Sequence, residues 1–112
     1  MLGDDHVEVV KKYGQNGTDI WIWVTDKFRD SLTPQNGNLK INFVSELDQT
    51  QTELSYRFDD KTKNYIATLN EAQKKVTQAQ LEVFWTRTGN IKGVVTSKTP
   101  FKISLSQIPL TR

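Results

Sequence analysis

The sequence predicts an all-β sandwich, and three observations lead there. The stretch TDIWIWVTD, Thr18 to Asp26, alternates Ile20, Ile22 and Val24 with Trp21 and Trp23. As a strand it is apolar on both faces, and its β-branched and aromatic residues suit a pleated surface. Further short segments alternate apolar and polar residues with period two. Only one short run, beginning at Asn70, reads as helix.

The elements follow in order. Val7, Val9, Lys11 and Tyr13 alternate with Glu8, Val10 and Lys12 in a first strand, and GQNG at 14–17 is a turn, since Gly and Asn accept positive φ cheaply. The Trp-rich strand comes next and is expected to be central, with Ile20, Ile22 and Val24 fully buried. Residues 26–37 form a loop, anchored on the core by Phe28 and Leu32. Leu39, Ile41 and Phe43 alternate with Lys40 and Asn42, a half-buried strand with a wet outer face. ELDQTQT at 46–52 reads as a hairpin loop. Leu54, Tyr56 and Phe58 then alternate with Glu53, Ser55 and Arg57 in a single strand.

DDKTKN at 59–64 is a turn, and Tyr65, Ala67 and Leu69 face one way in the strand after it. Asn70 can cap a short helical turn near 71–76, ended by Val76 and Thr77. Leu81, Val83 and Trp85 alternate with Glu82, Phe84 and Thr86. Thr88-Gly89-Asn90 turns the chain into a returning strand, 91–96, which Lys98-Thr99-Pro100 breaks. Phe101, Ile103 and Leu105 make the last strand. The count is seven or eight short strands, which argues a sandwich or a barrel.

At 112 residues the chain is long enough for one domain, 1–112, with its own core. It has no cysteine, which excludes disulfides, zinc–thiolate sites and thiol catalysis. Fifteen basic residues against 13 acidic ones give no strong field for nucleic acid or acidic lipid. No apolar run approaches the ~20 residues of a membrane span. MLGDDHVEVV lacks the basic end and apolar centre of a signal peptide. With Met1 as the native start, the expected location is the cytoplasm or a virion. If the gene begins further upstream, it is extracytoplasmic.

Motifs for chemistry are sparse. His6 is the only histidine and stands beside Asp4 and Asp5 near the terminus, where a solvated tail accounts for it better than a metal site or an acid–base pair. Asp59, Asp60 and Asn64 lack the alternating ligand spacing of a calcium loop, and Lys61 and Lys63 would compete with a cation. The same carboxylates, adjacent in a turn, do not face one gap as glycoside hydrolysis requires. GxSxG, GxGxxG and the phosphate-loop pattern are absent. No enzyme, metal or cofactor is therefore expected.

The aromatic residues carry most of the functional signal. Trp21, Trp23, Phe84 and Trp85 lie on the two most apolar strands, with Lys40, Arg87 and Lys92 as neighbours to consider. A base- or sugar-stacking face is one reading. Core filling plus one protein interface is the other, favoured because single-strand binders line the stacking face with a basic groove. Trp21, Trp23, Phe84 and Arg87 are the candidate interface residues. At least one of Trp21 and Trp23 is expected under an interface, the loop 26–37 being the alternative cover.

Several short motifs resemble the immunoglobulin-like N-terminal modules of phage baseplate and receptor-binding-apparatus proteins. KKYGQNGTD is similar to their K-x-G-(D/N)-x-G turn, and WIWVTDKFRDSLTPQNG to a strand ending V-x-D before a leucine-bearing loop. KNYIATL approximates G-x-Y-x-A-x-L, with Asn64 near the usual glycine, and TSKTPFKISL is similar to a T-x-x-F-x-I end. The resemblance spans about residues 7–105 and is only rough over 70–87. It implies an immunoglobulin-like sandwich with a structural, non-enzymatic role in a virion or tail assembly, contacting other protein subunits or further copies of itself. Two rival expectations stand beside it: a carbohydrate- or single-stranded nucleic-acid-binding module using exposed aromatics, and an exported envelope domain.

Overall fold

The computed structural model describes residues 6–14, 17–25, 31–35, 37–75, 78–88, 94–96 and 101–110. Among them the strands run in chain order as β1 (His6–Gly14), β2 (Gly17–Thr25), β3 (Gly37–Ser45), β4 (Gln51–Glu53), β5 (Tyr56–Asp59), β6 (Asn64–Leu69), β7 (Ala79–Thr88), β8 (Val94–Thr96) and β9 (Phe101–Ser104). A helical turn α1 (Glu71–Lys74) precedes β7, and a 3-10 turn (Leu105–Gln107) follows β9.

These strands build two antiparallel sheets. The first has the order β1-β2-β6-β5, and the second β4-β3-β7 with β8 and β9 both on the far edge of β7. Strand β2 is internal, as expected, with β1 on one side and β6 on the other. Its Ile20, Ile22 and Val24 are 0%, 0% and 1% exposed. They meet Tyr65, Ala67 and Leu69 of β6, and across the sandwich Leu39, Ile41 and Phe43 of β3 and Leu81, Val83 and Trp85 of β7. The structure is therefore an all-β sandwich.

The hairpin β1–β2 closes with Gly14 opposite Gly17, whose φ of 135° only glycine adopts without strain. Leu32 anchors on the core, fully buried, and its N–H donates to the Val24 carbonyl at 2.7 Å. Asn70 caps α1: its side-chain oxygen accepts from Gln73 N at 2.7 Å, and Gln73 Oε1 accepts from Asn70 N at 3.0 Å.

Two expectations need correction. The segment 53–58 is not one strand. Residues 51–53 pair with β3 in the second sheet, whereas 56–59 pair with β6 in the first. The chain changes sheets at Leu54 and Ser55, where Leu54 is buried and donates its N–H to the Ile41 carbonyl at 2.9 Å. Its period-two pattern survives because Leu54 is buried and register sets Tyr56 and Phe58 opposite the inward residues Ala67 and Tyr65 of β6, although Tyr56 is 37% exposed at the sheet edge.

Among the described residues that change divides the segment into two short strands, β4 and β5, so nine short strands are named there. The final strand stops at Ser104, because Leu105 begins a 3-10 turn that leads the chain back to β1. There Lys11 N donates to the Pro109 carbonyl at 2.8 Å, Lys11 Nζ donates to the Leu105 carbonyl at 3.3 Å, and Lys11 and Leu110 form a parallel bridge. The open edge of β1 is thus partly covered by the last described residues, one way a sheet edge is shielded.

Candidate functional site

The outward faces of the two sheets hold the side chains that the core does not use. In the first sheet, register places Val10, Trp21, Ile66 and Arg57 in one row across β1, β2, β6 and β5. Lys12, Asp19 and Thr68 form the row on one side, where Thr68 Oγ1 donates to Asp19 Oδ1 at 2.6 Å. Glu8 and Trp23 pair on the other side.

Both tryptophans are half-buried, and Ile66 is only 3% exposed although its side chain points outward. Lys12 Nζ stands 3.9 Å from the centre of the Trp21 ring, a cation–π contact. The Trp21 indole N–H is buried and has no acceptor among the described residues. The Trp23 indole N–H, by contrast, donates to Ser31 Oγ at 2.9 Å. Ser31 also bridges Thr25, so the returning end of the 26–37 loop sits beside Trp23. Phe28 lies outside the described residues.

The second sheet carries different chemistry. On β7, Leu81, Val83 and Trp85 turn inward, and Trp85 is 8% exposed, so it is core and no part of a stacking face. Phe84 turns outward opposite Lys40. A groove of about 520 Å³ opens on this face. Its lining includes Lys40, Asn42, Gln51, Glu82 and Phe84. Register aligns Glu53, Asn42, Glu82 and Lys102 across four strands, and Lys102 Nζ lies 3.6 Å from Glu82 Oε2.

The four candidate interface residues therefore do not converge. Trp21 and Trp23 share the outward face of the first sheet, and Phe84 occupies that of the second. Arg87 pairs with Gly37 through its backbone, and its side chain lies outside the described residues. Period-two alternation reports which strand faces are apolar but not which sheet a strand joins, so it grouped side chains that the fold separates. Asn42 and Gln51 were missed as site residues. Asn42 carried a visible signal, an amide between apolar neighbours in Ile41 and Phe43.

The turn at 59–64 is held by its own hydrogen bonds. Asp59 accepts from Thr62 N at 3.1 Å and from the Thr62 hydroxyl, while Lys63 Nζ pairs with Asp60 at 3.1 Å. The Thr62 bonds hold the Asp59 carboxyl below the usual aspartate range, and Thr50 does the same for Asp48. Among the described residues no three His, Asp or Glu side chains gather as a metal site would need, and no helix is long and apolar enough to cross a membrane. The lone His6 begins β1 opposite Thr25, its side chain outside the described set along with Asp4 and Asp5. No protein-family model, characterised protein or solved structure matched this chain.

Proposed function

We propose that this chain is a non-enzymatic β-sandwich module that binds another protein subunit through the outward face of its first sheet, within a virion or tail assembly. The observation that carries the reading is the row Val10–Trp21–Ile66, apolar across three adjacent strands and edged by Glu8, Lys12 and Arg57. An aromatic centre with a charged rim is the anatomy of a protein interface, where tryptophan is among the commonest energetic anchors.

The assembly role rests on the sequence resemblance alone; the strand order β1-β2-β6-β5 facing β4-β3-β7 is one that an immunoglobulin-like sandwich would have.

Light scattering on the purified chain, alone and with the products of neighbouring genes, tests the reading against Trp21→Ser. Association should weaken by about thirtyfold, the loss of an anchor worth about 2 kcal/mol. Melting should change by no more than about 1 kcal/mol. A sharp fall in stability with association intact would overturn it.

A further inference from the structure

The groove on the second sheet is built differently from the tryptophan face and lies on the opposite side of the sandwich. We propose that it is a binding site for a neutral carbohydrate, with Asn42, Gln51, Lys40 and Glu82 as hydroxyl partners and Phe84 as the apolar platform.

Asn42 is the central observation. It is 8% exposed, lines the groove, and its side chain makes no hydrogen bond among the described residues. Its amide is not among the side-chain groups sealed from water, so at the groove it offers a carbonyl acceptor and two N–H donors at once. A sugar hydroxyl both donates and accepts, so adjacent hydroxyls match that amide at either end. Gln51 and Lys40 stand exposed at the rim and supply further polar groups. Glu82, held by Lys102, presents an acceptor whose position is fixed by the ion pair.

Charge balance selects the ligand class. Lys40 and Lys102 are matched by Glu53 and Glu82 along these rows, so the face has no excess sign to attract phosphate or nucleic acid. Half-buried Phe84 gives a ring against which the C–H face of a pyranose can lie. The volume of about 520 Å³ falls within the range of small-ligand clefts, roughly 300–1,000 Å³.

The test is an NMR titration of the ¹⁵N-labelled chain with glucose, galactose, N-acetylglucosamine, cellotriose and, separately, inorganic phosphate. Saturable shifts should appear at 38–42, 51 and 82–86. A response to the monosaccharides identifies a free sugar as ligand, and a response to cellotriose alone identifies a glycan chain; either supports the site. Lys40→Ala and Gln51→Ala, both exposed and so compatible with folding, should each weaken binding by about three- to tenfold. Trp21→Ser should leave it unchanged, which separates this site from the subunit-binding face. Absence of saturable shifts with every sugar would overturn the proposal. So would shifts confined to the Trp21 face, phosphate binding in the groove, or loss of subunit association in the Lys40 and Gln51 variants.

Discussion

The Trp23 indole N–H donates to Ser31 Oγ at 2.9 Å, joining the central strand of the first sheet to the chain returning from the 26–37 loop. Leu32, next in sequence, plugs the core, so this one junction fixes the loop end on both faces of the sheet. Ser31→Ala should lower stability by about 0.5–1.5 kcal/mol in denaturant melts, the usual net value of such a bond. An unchanged midpoint would show that Leu32 alone holds the junction.

Ile22→Ala should cost about 2–5 kcal/mol, since the side chain is 0% exposed between Tyr65 on its own sheet and the facing sheet. Equilibrium unfolding in urea measures it. A loss under about 1 kcal/mol would mean that the core collapses around the cavity far more freely than a packed sandwich allows.

Tyr56 ties the two sheets together along one side. Its hydroxyl donates to the Leu39 carbonyl in β3, while its ring meets Tyr65 edge-on with centroids 5.4 Å apart. Tyr56→Phe keeps the ring contact and removes only the hydroxyl. The expected loss is about 0.5–1.5 kcal/mol, with amide exchange quickening at 39–41 and 54–58. Unaltered exchange there would place the tie elsewhere.

Asp59 and Asp48 contribute to the acid limb of stability. Both carboxyls are depressed in the folded chain, chiefly by hydrogen bonds from the side chains of Thr62 and Thr50. A depressed folded value means that their contribution is fully present above the unfolded aspartate pKa of about 3.9. It is lost as pH falls from there through the folded values. Melts of the wild type should therefore be flat with respect to these groups in mildly acidic buffer and fall below that point. Asp59→Asn should flatten the fall. An identical acid limb in the variant would remove Asp59 from the account.

The candidate sites were legible only in part. Trp21 and Trp23 announced themselves, since an apolar residue opposite an already apolar face must meet something. The groove around Asn42 did not, because its members come from β3, β4 and β7, and no local pattern states that these strands are neighbours.

By itself the sequence determined the fold class, the inward face of each main strand and the cap at Asn70. These follow from side-chain periodicity and local hydrogen bonding, which act within a few residues. The tertiary structure decided the sheet to which each strand belongs. It sent residues 51–53 and 56–59 to opposite sheets, and it turned Trp21 and Phe84 to opposite outer faces of the sandwich. Pairing between strands far apart in sequence depends on backbone hydrogen bonds common to every residue, so side-chain alternation cannot encode it.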